Sequence, residues 1–105
     1  MSDAVVVTAY FRPRAETRER VLAALRPAIE GVHTEPGCLL YAIHDAPDGS
    51  IVMIEKWASV AELDDHGSSP AVRQLNIDLD GLLAEPVEVA RLTPIRVGDT
   101  GRGAL

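Results

Sequence analysis

The chain has 105 residues, of which 47% are hydrophobic and 25% charged, as in an ordinary soluble protein with one core. Its formal net charge is -6, and its ten basic residues are scattered. Nucleic acids and anionic membranes are bound through clustered Lys and Arg, so this balance argues against both as partners.

The first half of the chain predicts a strand followed by a helix. Residues 4–11 are β-branched and aromatic, which is typical of a strand covered on both faces. Residues 1–10 have an acidic residue where a signal peptide would be basic, and their apolar run is too short for a signal peptide or a membrane span. From 15 to 33 apolar residues recur every three or four positions, which predicts an amphipathic helix. Pro27 removes one backbone hydrogen bond and predicts a kink near Ala23 or a break.

A hairpin is predicted in the middle of the chain. The sequence Glu35-Pro36-Gly37 stops the helix, because proline cannot continue it and glycine suits the turn. Two strands at 39–45 and 51–57 then flank a loop rich in turn residues. A five-residue loop sets a register that pairs Tyr41 with Glu55 and Leu39 with Trp57.

Both faces of this hairpin are mainly apolar, so both need cover. One layer of helices covers one face only. The simplest second cover is another copy of the same sheet, which predicts a homodimer.

The last third predicts two helices and a strand. Ser59 and Glu62 form a capping box, and Ser69-Pro70 begins a second helix that runs to about Ala84. A final strand is predicted at 87–92, and residues 97–105 resemble a flexible tail after a single domain at 1–96. The order β-α-β-β-α-α-β predicts an α+β, ferredoxin-like split βαβ fold with an antiparallel sheet.

His66 is the strongest candidate for catalysis. It lies one turn after Glu62 and Leu63, at the border of the helix face that turns toward the sheet. A partly enclosed imidazole is suited to act as a general base. The alternative is a histidine bonded to a backbone carbonyl or to water.

Four other side chains are candidates for binding a substrate. Trp57 ends its strand where a cleft between sheet and helix would open, although a lone tryptophan is more often core. Tyr41 and Glu55 are cross-strand neighbours that either orient a substrate hydroxyl or satisfy each other. His44 lies on the opposite strand face, so it joins them in one pocket only if the register slips.

Two further residues, Glu35 and Cys38, are interpreted as structural rather than catalytic. Glu35 either caps a helix or bridges to a partner subunit. The single cysteine, Cys38, reads as a small buried hydrophobe and fits a reducing compartment, which predicts a cytoplasmic protein. Phosphate-binding loops, serine elbows and His-x-x-x-His spacings do not occur in the sequence, so no cofactor and no metal are predicted.

Taken together, several motifs resemble the antibiotic biosynthesis monooxygenase family, in particular its small quinol monooxygenase-like members. The resemblance covers about residues 5–94. It is carried by these segments in order: Glu35-Pro36-Gly37-Cys38 with Tyr41, Glu55-Lys56-Trp57, Glu62-Leu63 with His66, and Ser69-Pro70.

The resemblance implies a dimeric α+β barrel in which two sheets pack face to face. It also implies oxygenation of quinols, polycyclic phenols or anthrones by O2 without metal, flavin or haem. The haem-degrading branch of the family has an asparagine and an iron-ligating histidine where this chain has Thr8 and Asn76, which argues against that activity. The alternatives are a small-molecule binding or detoxification module without redox chemistry, or an isomerase.

Overall fold

The computed structural model describes residues 4–105. The elements, in chain order, are β1 (Val5–Phe11), α1 (Arg18–Val32), β2 (Cys38–Asp45), β3 (Ile51–Trp57), α2 (Val60–Gly67), α3 (Pro70–Leu79) and β4 (Glu88–Leu92).

The four strands form one sheet in the order β2-β3-β1-β4, and every neighbouring pair is antiparallel. The three helices lie on one face of this sheet, with α1 packed against α3 and α2 against β3. The α+β, ferredoxin-like fold predicted from the element order is thereby confirmed.

The hairpin register agrees with the prediction except at one end. Tyr41 pairs with Glu55 as expected, but the predicted pairing of Leu39 with Trp57 is wrong. Cys38 faces Trp57 instead, because the register shifts between Cys38 and Leu40 and leaves Leu39 as an extra residue in β2. Leu39 is accordingly 57% exposed.

Helix α1 begins later than predicted and is not interrupted. Glu16 has a φ of 68°, which is incompatible with a helix, and Thr17 then forms the N-cap. The Thr17 hydroxyl donates to the carbonyl oxygens of Arg14 and Leu82, so the helix start is tied to the distant loop before β4. The helix continues through Pro27, so the predicted break does not occur.

Helices α2 and α3 begin where their capping residues predict. The hydroxyl groups of Ser59 and Ser69 each accept a hydrogen bond from a backbone N–H in the first turn. Helix α3 ends at Leu79, earlier than expected, and Gly81 follows with a φ of 77°. Leu82 is nevertheless buried, because the chain beyond the helix folds back onto the core.

The two faces of the sheet differ in cover. On the helix side, alternate residues of β1 and β3 are buried, with Met53 and Trp57 fully enclosed. On the other side Thr8, Val52 and Ile54 are only half-buried. No helix of residues 4–105 lies against this mainly apolar side, which we call the open face.

Strand β4 is an edge strand, and all five of its residues are exposed. None of the helices within residues 4–105 is both long enough and apolar enough to cross a membrane. The division into a domain at 1–96 and a flexible tail at 97–105 stays a prediction.

Candidate active site

His66 lies where helix α2 crosses the covered face of the sheet. The Ser59 cap sets the start of α2, and Leu63 and His66 are the two residues of this helix that are buried. Their spacing of three places them on one side of the helix. His66 is 8% exposed, so its imidazole faces the protein interior as the sequence predicted.

Glu35 holds the imidazole in place. It lies in the turn between α1 and β2, and its Oε1 is 2.8 Å from Nδ1 of His66. A carboxylate can only accept a hydrogen bond, so Nδ1 carries the proton, and Nε2 of the neutral ring has a free lone pair. Nε2 makes no hydrogen bond within residues 4–105. This is the arrangement that a general base requires.

A second carboxylate lies on the other side of the ring. Glu55 and Trp57 are two residues apart on β3 and share its covered face, where Nε1 of Trp57 donates to Oε1 of Glu55 over 2.9 Å. The same oxygen is 3.9 Å from Nε2 of His66, which is too far for a hydrogen bond.

Burial raises the pKa of Glu55, because a charged carboxylate is poorly solvated there. The Trp57 hydrogen bond, and the positive charge that the His66 ring carries when it is protonated, lower the pKa, but they do not cancel the effect of burial. The charge of Glu35 raises it further. Glu55 is therefore more readily protonated than an exposed glutamate.

Two aromatic rings surround the imidazole. The Trp57 ring centroid is 4.5 Å from that of His66, and the Tyr41 centroid is 5.3 Å away in an edge-on arrangement. Burial, together with the charges of Glu55 and Glu35, raises the pKa of Tyr41 well above its usual range. The phenol therefore keeps its proton and is a hydrogen-bond donor.

A cavity of about 250 Å³ lies between the sheet and helices α2 and α3. Its walls are mainly apolar, with residues such as Phe11, Leu63 and Leu75. Tyr41, Glu55 and His66 contribute polar groups to its buried side. Such a convergence of a few polar groups in an apolar concavity is typical of small-molecule sites. A larger surface groove of about 490 Å³ adjoins it and shares Asn76 and Val87.

The five residues predicted for the site do not all line the same cavity. His66, Tyr41 and Glu55 line the cavity, whereas Trp57 lies behind Glu55 and His66 and does not line it. His44 is exposed at the far end of β2, where its Nδ1 lies 3.2 Å from the carbonyl oxygen of Val52. We therefore exclude His44 from the site.

Within residues 4–105, no group of three or more His, Cys, Asp or Glu side chains lies close enough together to hold a metal ion. Cys38 is near Glu35 and Glu55, and partial burial with these two charges raises the pKa of its thiol. A raised pKa disfavours the thiolate, which is the nucleophilic and metal-binding form.

Sequence reasoning missed two residues of the site. Glu35 was interpreted as a cap or a bridge to a partner subunit, and its bond to His66 spans 31 positions. Arg91, on exposed β4, also lines the cavity. The alternation of β4 places Arg91 on the helix side with Val89, but the sequence does not show that the cavity reaches so far.

Comparison with known proteins establishes the family. Residues 4–76 match the model of the family described as antibiotic biosynthesis monooxygenase. The chain belongs to this family. The resemblance inferred from the motifs around Tyr41, Glu55 and His66 is thus confirmed.

Two known proteins illustrate the similarity. Rv0793 of Mycobacterium tuberculosis, provisionally named a monooxygenase, is 33% identical over 96 residues, which cover 90% of this chain and 95% of the relative. Its solved structure matches with a TM-score of 0.85 and 32% identity over 92% of this chain and 100% of the other. The structure of PA3566 from Pseudomonas aeruginosa has a TM-score of 0.82 at 24% identity, covers 90% and 97% of the two chains, and shows the shared fold. The family and the relative from Mycobacterium tuberculosis together support a monooxygenase-like function, without naming a substrate.

Proposed function

We propose that this family member is a cofactor-independent monooxygenase that uses O2 to oxidise an electron-rich aromatic compound: a quinol, a polycyclic phenol or an anthrone. The observation that carries the proposal is the buried imidazole of His66. Glu35 bonds its Nδ1, and Nε2 is free at the edge of an apolar cavity. A group so placed is suited to remove a proton from a bound phenol or anthrone.

The substrate itself acts as the reductant. His66 removes a proton to give a carbanion or phenolate, which passes one electron to O2 and so avoids the spin barrier to direct reaction. The resulting radical and superoxide combine to a peroxide with a new C–O bond. Loss of the hydrogen that remains on that carbon and cleavage of the O–O bond then release water and leave a carbonyl. In total, a CH2 group, or an aromatic CH beside or opposite a hydroxyl, becomes C=O, and one O2 supplies one oxygen to product and one to water.

The other side chains have supporting roles in this proposal. The Tyr41 phenol, which keeps its proton, donates to the oxyanion that forms on the substrate. Glu55, which burial makes easier to protonate, returns a proton to the departing peroxide oxygen. Trp57 positions both Glu55 and His66 from behind. The apolar walls exclude water and so strengthen each of these interactions.

The proposed assembly is a homodimer joined through the open faces of two sheets, which would complete the α+β barrel. The open face presents Thr8, Val52 and Ile54, which are half-buried in the single chain, and no helix in the described part of the chain covers it. Burying an apolar sheet face is favourable by roughly 25 cal/mol per Å² of apolar area. The single cysteine also leads us to propose that the dimer works in the cytoplasm.

Oxygen consumption tests the proposed reaction. Chelator-treated protein is mixed with an anthrone, a naphthohydroquinone and a polycyclic phenol, and the rate of spontaneous oxidation is subtracted. We expect uptake of one O2 per quinone formed. His66→Ala should lower turnover about 10²–10⁴-fold, because a positioned base contributes that much. Added imidazole should restore part of the rate by entering the space that the side chain leaves.

The matched control is His44→Ala, which removes an exposed imidazole outside the cavity and should leave turnover unchanged. Circular dichroism checks that both variants fold. Equal rates for wild type and His66→Ala would remove His66 from the mechanism. Saturable binding without oxygen uptake would instead identify a binding module, and product formed without oxygen would identify an isomerase.

A further inference from the structure

The side of the cavity toward β4 carries a positive charge that the proposed reaction does not use. Arg91 is the only lysine or arginine among the described residues that line the cavity. It is on β4, which is exposed, whereas Tyr41, Glu55 and His66 are buried. The cavity is therefore asymmetric, with a cation on its open side and the imidazole on its buried side.

The sheet register fixes where this cation lies. Val7 of β1 pairs with Glu55 on one side and with Arg91 on the other, so the three residues form one row across the covered face. Neighbouring strands are 4.7–4.9 Å apart, which separates the backbones of Glu55 and Arg91 by roughly 10 Å. A small aromatic molecule lying along this row would have Glu55 at one end and Arg91 at the other.

Asp64 holds the guanidinium near the cavity. Its Oδ1 on α2 is 2.8 Å from Nη2 of Arg91, and both side chains are about half exposed. An arginine has five N–H donors in a planar fork, so an ion pair through Nη2 leaves others available. The pair connects β4 to the helix that carries His66, and it keeps the cation beside the opening.

We propose that Arg91 binds a carboxylate on the substrate, and that the preferred substrates are therefore aromatic acids whose ring extends toward His66. This inference rests on the proposed function, because it names the chemical class of its substrate. The apolar walls accept the ring, and Arg91 supplies the matching charge at the open side. The volume of about 250 Å³ is slightly below the range of about 300–1,000 Å³ usual for ligand pockets, which favours compact acids.

A binding experiment with a matched pair of air-stable probes tests the proposal. 1-Hydroxy-2-naphthoate and 1-hydroxy-2-naphthamide have the same ring and nearly the same shape, and only the first carries a charge. Calorimetric titration at neutral pH and low ionic strength should show that the wild-type protein binds the acid about tenfold more tightly, as expected for a charge-assisted contact. This preference should weaken as salt is added.

Three variants locate the effect. Arg91→Gln should bind both probes about equally, whereas Arg20→Gln, which changes the net charge identically on the exposed surface of α1, should keep the preference. Asp64→Asn keeps the oxygen that accepts from Nη2 of Arg91 but removes the competing negative charge, so it should increase the preference. Thermal unfolding checks that the variants remain folded.

The outcomes separate this inference from the proposed function. Equal binding of both probes by the wild type, or an unchanged preference in Arg91→Gln, would overturn the role of Arg91 and leave the aromatic cavity intact. Failure of both probes to bind would overturn the aromatic cavity and, with it, the acid preference.

Discussion

Two carboxylates on either side of one imidazole define the site at the scale of single residues. Glu35 is bonded to Nδ1 of His66, whereas Glu55 lies 3.9 Å from Nε2 and bonds Trp57 instead. The first carboxylate fixes the tautomer of the base. The second is free to exchange a proton with a ligand, because the oxygen Oε2 of Glu55 makes no hydrogen bond within residues 4–105.

The raised pKa of Glu55 has a consequence for stability. The folded state holds this proton more tightly than the unfolded state, whose pKa is near the ordinary value of 4.5. Between the two pKa values the folded protein binds more protons, so the free energy of unfolding falls as pH rises through that window. Glu55→Gln carries no titrating group there and should not show this contribution.

We therefore expect the unfolding free energy of the wild type, relative to Glu55→Gln, to be highest below pH 4.5 and to decrease toward neutral pH. Urea unfolding across a pH series measures this difference. Glu30→Gln, at an exposed position of α1, controls for the loss of one surface charge. A difference that stays constant or grows with pH would contradict the buried, easily protonated Glu55.

At the scale of elements, the turn between α1 and β2 and the first turn of α2 support each other. Gly37 has a φ of 80°, and a Cβ atom at this position would collide with the carboxylate of Glu62. That carboxylate accepts a hydrogen bond from the Ser59 hydroxyl and so belongs to the cap of α2. Gly37 thus lets the turn that carries Glu35 approach the helix that carries His66.

Gly37→Ala should destabilise the protein for two reasons. Alanine at a positive φ costs about 1–2 kcal/mol, and displacement of Glu62 removes a capping hydrogen bond worth about 1 kcal/mol. Gly49→Ala is the matched control, because Gly49 has a φ of 90° but a Cβ there meets nothing within 4 Å. Chemical denaturation should show the larger loss for Gly37→Ala. Equal losses would mean that the contact with Glu62 has no energetic importance.

At the scale of the whole molecule, the helices that the structure describes in residues 4–105 all lie on one face of the sheet. The structure confirms the part of the sequence argument that concerns one chain: a single helical layer covers the face that carries Met53 and Trp57. The second layer, a twin sheet, remains our proposal. A dimer of this kind predicts that the particle in solution has twice the mass of one chain.

Light scattering after size exclusion should give about twice the chain mass of 11.3 kDa for the wild type. Ile54→Glu places a charge in the centre of the open face and should yield the monomer, because burying an unpaired carboxylate in an interface is costly. Ile77→Glu, which alters a 68% exposed residue on α3, should remain dimeric. A wild-type mass of one chain at micromolar concentration would refute the barrel.

Local patterns in the sequence were sufficient to predict the elements and their order. Hydrophobic periodicity, the caps at Ser59 and Ser69, and the stop at Gly37 all act within a few residues, so they can be read without the fold. Local reading failed where distant parts of the chain decide. The late start of α1, after its cap Thr17, goes with a hydrogen bond from Thr17 to the distant Leu82, and the extra residue Leu39 in β2 shows only in the pairing of β2 with β3.

The sequence alone was enough to predict that His66 borders the side of a short helix that turns toward the sheet, and that Tyr41 and Glu55 share one side of a hairpin. The three-dimensional packing was needed to show that Glu35 bonds His66, that Arg91 lines the same cavity and that His44 does not line it. The physical reason is that side-chain spacing along one element is fixed by backbone geometry, whereas the contact between elements is fixed by how the whole core packs.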